Sequence, residues 1–466
     1  MRVFTPAILF AVIGIDKGES FLSGISRAVK KNIKSASPVR AASSTGSITT
    51  NASTLPTWED LAERIQADED TPLLTFFRDT NGWCPFCERV WICLRAKNIP
   101  YEEQLISLFQ KPEWYKAMVP TTQVPAILFH DDKINNDKKT QRSLVWESKD
   151  IMQALDDKFP DTPKLVLNTK AYKAASEQMG DLNTVGFAFL GYARNNNDET
   201  SAEEKALILH GKKQEFLKAL DELDASILET GGPFRLGSDF TGVDAEMVPT
   251  LERWRYQLPL SHEIDIMEGR EGIQRWFEAM DNYKPYSDRV MGDRYSWTAT
   301  SVVFARYFAG KEIDAHTEAY IARSEGAASA LIAEFGDVGD IDVKEEFVLE
   351  AGQKIISNHE AIITDCTSKD PKSQQSMKRA KDPDAANKAL LFTANLLLEA
   401  GGNIIDAVNE ASVDTLEFNT NEKEDAAVAL KTVASRLCVP RDMSAPAARI
   451  LRYCLMSLSE KFESLQ

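Results

Sequence analysis

Trp83-Cys84-Pro85-Phe86-Cys87-Glu88-Arg89-Val90 comes shortly after the apolar run Leu73, Leu74, Phe76 and Phe77. A short run of that kind marks a buried strand. Beyond Pro85, residues Val90, Trp91 and Leu94 recur at helical spacing. The chain therefore reads as a strand ending near Arg78, a turn, and a helix that starts at the cysteine. A thiol at that point faces unpaired backbone N–H groups at the positive end of the helix. Such a field favours the thiolate, the nucleophilic form. Cys84 is the expected nucleophile. Cys87 lies one turn further in on the same face, placed to attack a mixed disulfide on Cys84. Pro85 suits the first helical turn, where its missing N–H is not needed.

Working outward, Tyr101 to Leu108 reads as a second strand and Glu113 to Val119 as a short helix. Ala126 to Phe129 and Leu144 to Trp146 read as two further strands, and the polar insert Asp131 to Arg142 between them as a solvated hairpin loop. Ser148 is expected to cap a helix carrying Ile151, Leu155 and Phe159. The order βαβαββα is that of a thioredoxin-like domain. Residues 170–308 read as all-helical: Phe216, Leu220, Leu223 and Ile227 form one apolar face. Thr241 with Asp244 three residues on is a capping box, a folding signal. Residues 310–466 form a third helical unit, with one stripe of Leu390, Leu391, Ala394, Leu397 and Leu398, and a last helix opening at Ser444. The polar, basic stretch Ser368 to Asp384 is expected to be a loop. The fold class is thus α+β and multidomain. Its expected divisions are a disordered leader at 1–58, a thioredoxin-like domain at 59–165, a helical domain at 166–308 and a helical tail at 309–466.

Charge separates the leader from the rest. Residues 1–58 hold seven bases and two acids, whereas the 466-residue chain has net charge −17. An apolar segment, Pro6 to Ile15, precedes a basic, hydroxylated stretch without acids, and that order reads as a targeting presequence for a plastid or another organelle; without an address the protein would be cytoplasmic. No apolar run reaches the ~18 residues of a membrane span. A pI near 5.0 argues against nucleic acid as a partner. Six cysteines in 466 residues do not make a disulfide scaffold.

The chemistry of the site rests on three stretches. The Cys84/Cys87 pair has no second ligand pair to make a zinc site, which leaves a redox reading and no metal. Val124-Pro125 sits immediately before a strand. A cis bond there would set the Val124 backbone N–H and C=O opposite the thiol, where they would hold an extended peptide; the plain alternative is a proline opening a strand. Glu147-Ser148 ends a strand and opens a helix, an anion site in principle. On sequence alone the ordinary N-cap is the stronger reading of it. Cys93, Cys366, Cys438 and Cys454 read as core residues. The aromatics Trp83, Phe86, Tyr192, Trp254 and Tyr256 divide between core and a pocket lying between the two halves.

Taken together, Cys84-Pro85-Phe86-Cys87-Glu88-Arg89-Val90, Lys111-Pro112-Glu113-Trp114, Val124-Pro125 and Glu147-Ser148 resemble the omega class of cytosolic glutathione transferases, with dehydroascorbate reductases and chloride intracellular channel proteins as relatives of the same architecture. The resemblance covers about residues 72–305 and extends through Gly232-Pro233-Phe234-Arg235-Leu236-Gly237. It implies that Cys84 forms a mixed disulfide with glutathione and that Lys111 meets the glycyl carboxylate. Val124 and Pro125 would then hold the cysteinyl backbone, Glu147 and Ser148 the γ-glutamyl end, and Phe86 would complete the glutathione site. Cys87 departs from the omega pattern and resembles a dithiol glutaredoxin. The tail has no counterpart in the two-domain family.

The expected function is a glutathione-dependent thiol transferase or reductase, acting on a glutathionylated thiol or a small oxidised substrate such as dehydroascorbate. Conjugation of glutathione to electrophiles is expected to be weaker. The alternative from another class is a non-catalytic glutathione-binding scaffold whose tail binds a protein partner. Dimerisation is left open, since the tail could block or replace that contact.

Overall fold

The computed structural model describes residues 33–34, 55–65, 71–134, 142–194, 201–309, 313, 315–337, 339, 341, 343–367 and 379–465. Most of the expected leader, and the stretch 368–378 of the expected basic loop, lie outside the described residues. Six leader residues, 33–34 and 55–58, are described, and of these Ile33–Lys34 (β1) pairs antiparallel with Glu102 and Glu103 at the sheet edge. At Ile33, Lys34 and Trp58, which opens a helix capped by Thr57, the expectation of a disordered leader is corrected.

The sheet order is β1-β3-β2-β4-β5. Its centre is Leu74–Asp79 (β2), buried along its whole length, as a continuous apolar run requires. It runs parallel to Tyr101–Ile106 (β3) and antiparallel to Ala126–Phe129 (β4). Ser143–Trp146 (β5) closes the sheet against β4. The helix after the cysteines is Pro85–Ala96 (α2), with proline in its first turn. With Glu113–Met118 (α3) and Ser148–Lys158 (α5), this is the expected thioredoxin-like order. The insert is not wholly solvated. It begins with a helical turn, Asp131–Ile134 (α4), and Asp131 is buried because it accepts hydrogen bonds from Ser143 and Lys158.

The helical half shares a continuous apolar core with the sheet half, from Leu74 to Val290. Its long helices are Lys170–Arg194 (α6), Ala202–Thr230 (α7) and Gly242–His262 (α8). Phe216, Leu220, Leu223 and Ile227 line the buried face of α7. The expected capping box opens α8: Asp244 Oδ2 accepts from the Thr241 N–H at 2.9 Å. Lys97 and Asp156, both buried, pair at 2.7 Å, and Asp156 also accepts from the N–H groups of Leu165 and Val166. That carboxylate pins the connection between the halves.

A second core belongs to the tail. Its helices Glu345–Thr367 (α13), Pro383–Ala400 (α14), Thr420–Arg436 (α16) and Ala445–Ser464 (α17) pack around Leu390, Leu397, Leu430, Ile450 and Leu455. Leu61, on Trp58–Glu63 (α1), is buried in this core. Trp58 Nε1 donates to Asn387 Oδ1 at 2.8 Å, and its ring stacks on His359. The expectation that residues 59–65 open the thioredoxin-like domain is corrected: their apolar side chains find a partner in the tail. The basic loop also ends sooner than expected, because Asp382 caps α14 and Pro383 begins it. Arg294–Ala309 (α11) and Ala315–Ala333 (α12) connect the two cores.

Candidate active site

The site forms where β2 ends and α2 begins. Cys84 is the N-cap of α2, and its Sγ accepts from the Cys87 N–H at 3.4 Å. The Cys84 thiol faces the carbonyl of Val124 at 3.9 Å, across a cis Val124–Pro125 bond. The expected convergence of Cys84, Cys87, Val124 and Pro125 is therefore present. Cys84 is 5% exposed and Cys87 1%. Phe86, Pro85 and Lys111 beside them are partly exposed, and Gln123 and Glu147 are exposed. These residues form the open edge of the site.

Burial lowers the pKa of Lys111, while the neighbouring sulfur atoms of Cys84 and Cys87 oppose that shift. The ammonium thus lies close enough to feel both thiols. Phe86 carries the Arg89 guanidinium at 5.5 Å from its ring centroid, and Arg89 Nη1 donates to Ser148 Oγ at 2.8 Å. Ser148 does not cap its helix. Glu147 takes that position with φ +66, and Ser148 becomes the first helical residue, so its hydroxyl turns to Arg89.

Several groups were missed in the sequence. Asp79, at the end of β2 and fully buried, accepts from the Trp83 N–H at 2.8 Å and so shapes the turn before the first cysteine. One Asp79 carboxylate oxygen and the sulfur atoms of Cys84 and Cys87 all lie within 4.8 Å of one another. The signal available was an acid closing an apolar strand five residues before Cys84. Arg253, on α8, donates to the Trp83 carbonyl at 3.0 Å and to Glu88 at 2.7 Å. Burial raises the Glu88 pKa, against the attraction of Arg253. Burial pushes Glu252, next in the chain to Arg253, up to about 8, with the Glu88 charge adding to it.

The tail reaches this turn as well. Gly82 has φ +68, and a Cβ there would stand 3.3 Å from Pro440 Cγ, so both backbone and space favour glycine. Arg289 Nη1 donates to the Pro440 carbonyl at 2.7 Å. Trp83 meets Phe304 edge-on at 5.3 Å, and Phe109 meets Tyr307 at 5.8 Å. Of the aromatics considered for a pocket, Trp254 is core: it is 4% exposed and lies against Phe216 at 4.9 Å. Cys93, Cys366 and Cys454 are buried core cysteines, whereas Cys438 is only partly covered. No helix among the described residues is long and apolar enough to cross a membrane.

Residues 83–158 match the model of the glutathione S-transferase N-terminal domain, and residues 199–279 that of the C-terminal domain. "Probable glutathione S-transferase DHAR1, cytosolic" of Oryza sativa subsp. japonica is 30% identical over 184 residues, covering 40% of this chain and 72% of that protein. This chain belongs to the glutathione S-transferase superfamily. "Glutathione S-transferase DHAR3, chloroplastic" of Arabidopsis thaliana is 28% identical over 183 residues, 39% of this chain and 58% of the relative. The match thus spans less than two thirds of that transferase's own length. Among solved structures, Chlamydomonas reinhardtii dehydroascorbate reductase is 18% identical over 55% of this chain and 98% of that one, with a TM-score of 0.36. Both transferase-domain matches end before α11 and the tail.

Proposed function

We propose that this transferase-superfamily chain is a glutathione-dependent thiol transferase or reductase working through a Cys84–glutathione mixed disulfide. The observation that carries the reading is the Cys84 sulfur at the N-cap of α2 facing the Val124 carbonyl at 3.9 Å. The helix start presents its unpaired N–H groups to a sulfur there, and the Val124 backbone lies where a cysteinyl peptide would run. Lys111 offers a cation to a carboxylate, and Phe86, Glu147 and Ser148 border the other end. In turnover the Cys84 thiolate attacks the disulfide of a glutathionylated substrate, releases the substrate thiol and becomes glutathionylated. A second glutathione, or Cys87, then resolves the adduct.

A cysteine that bonds covalently to glutathione suits disulfide exchange better than conjugation to electrophiles. Names of relatives support a reductase of this kind, and the two printed as chloroplastic and cytosolic support either address. The basic, acid-poor residues 20–58 favour a plastid or another organelle. The test is intact mass after incubation with oxidised glutathione. One glutathionyl group is expected on Cys84 of the wild type and none on Cys84→Ser, which also loses mixed-disulfide reduction. Equal rates in the two proteins would overturn the reading, and glutathione affinity without any turnover would point to a binding scaffold.

A further inference from the structure

Cys87 is poorly suited to act alone. Burial pushes its thiol well above the ordinary range, and the negative charges of Cys84 and Asp79 push it further. A thiol in that state attacks a disulfide only if a base removes its proton as it reacts. The groups around the pair are few. Arg78 shares the strand with Asp79 but is committed to Glu103 at 2.6 Å. Glu88, on α2, is committed to Arg253 of α8. Lys111 is a cation, and the Tyr115 hydroxyl donates to the Gln123 carbonyl at 2.7 Å. Glu88 also keeps one buried oxygen without a partner among the described residues, but the carboxylate that lies within 4.8 Å of both sulfur atoms is that of Asp79. Its Oδ2 accepts from the Trp83 N–H, while its Oδ1 is buried and has no hydrogen-bond partner among the described residues. A buried carboxylate oxygen with spare acceptor capacity is costly, and a carboxylate this close to both thiols gives that capacity a use.

We propose that Asp79 is the proton acceptor for Cys87 in an intramolecular resolution step. The proposal rests on the mixed-disulfide reading above. In the Cys84–glutathione adduct, the Cys87 S–H proton passes to the Asp79 carboxylate. The Cys87 sulfur then bonds to Cys84 Sγ, and the bond between Cys84 and the glutathione sulfur breaks. Glutathione leaves as a thiolate and takes up a proton from solvent. Cys87 and Cys84 end as a disulfide and the glutathionyl sulfur is reduced. Two further molecules of reduced glutathione restore both thiols and leave as oxidised glutathione.

The experiment uses the full-length chain loaded on Cys84 with one glutathionyl group, freed of excess glutathione, and follows its release by mass. The wild type is expected to release it and form the Cys84–Cys87 disulfide, whereas Cys87→Ser retains the adduct. Asp79→Asn, once loaded to the same extent, is expected to release its glutathionyl group about a hundredfold more slowly. Release at the wild-type rate from Asp79→Asn overturns the role of Asp79 alone. Failure of the wild type to load at all overturns the mixed-disulfide reading as well. If Asp79→Asn does not fold, the wild-type pH profile decides. With Asp79 as base, release rises less steeply with pH than hydroxide would make it; a rate that climbs about tenfold with each pH unit means that hydroxide takes the proton, and the proposal fails.

Discussion

The two cores bury carboxylates in opposite ways. In the tail, Glu350 accepts from both the N–H and the hydroxyl of Ser444, at 2.9 and 2.5 Å. Around the thiols, Asp79, Glu88 and Glu252 each keep one buried oxygen without a partner among the described residues. Only one other described carboxylate, that of Asp132, is left in that state, and none in the tail is. Uncompensated buried acceptors cost stability, of order 1–3 kcal/mol apiece. Uncompensated carboxylates thus gather in the transferase half near the candidate site, whereas the tail's buried Glu350 is partnered through both oxygens.

The most damaging way to break this contrast is to hollow the tail. Leu390→Ala is expected to destabilise the second core by about 2–5 kcal/mol in denaturant unfolding. Glutathionyl uptake at Cys84 should be unchanged while the protein remains folded; uptake that fell in step with stability would show that the two regions do not act separately. Next is Glu350→Gln, which weakens the paired end of α17 and should cost about 1–3 kcal/mol, read as a lower unfolding midpoint.

The counterpart at the site is Glu252→Gln, whose effect depends on pH. Burial raises the folded-state pKa of Glu252 from 4.5 to about 8. Between those values the unfolded chain has lost a proton that the folded chain keeps, so this group's contribution to stability falls as pH rises through the window. The variant should show a flatter Tm against pH, and should be more stable than wild type relative to its own value at pH 5 when both are compared at pH 8. An unchanged slope would contradict it. The smallest effects separate two serines. Ser444 caps its helix and its loss should cost about 1 kcal/mol. Ser148 caps nothing, so Ser148→Ala should shift stability less than Ser444→Ala while weakening glutathione binding, measurable by calorimetry.

Much of this was legible locally. β2 followed from an apolar run, and α2 from a cysteine, a proline and a helical repeat. The capping boxes at Thr241 and the serine cap at Ser444 were read from spacing alone. The cis Val124–Pro125 bond facing Cys84 was one of two readings of that stretch, favoured over a plain strand-opening proline by the cysteine pair 40 positions upstream. What escaped was long-range or conformational. Ser148 looked like a cap because an N-cap and a first-turn serine read alike until Glu147 is seen at positive φ. Asp79 was unremarkable as a residue type, and only its burial between the two thiols gives it weight. Arg253 reaches the site from 169 positions beyond Cys84, a distance no spacing rule spans. Nothing in residues 55–65 announces their partner, since Trp58 bonds Asn387 across 329 positions.

That last contact decides the order in which the molecule can be finished. A ribosome delivers Trp58 early and Asn387 late, so the first helix must wait, its apolar side uncovered, until nearly the whole polypeptide has emerged. The sheet and its helices can close in the meantime, as an insert between two pieces of a unit still under construction. Any maturation cut in the leader would therefore have to fall before the helix that begins at Trp58, or the late-forming bundle would lose its cover.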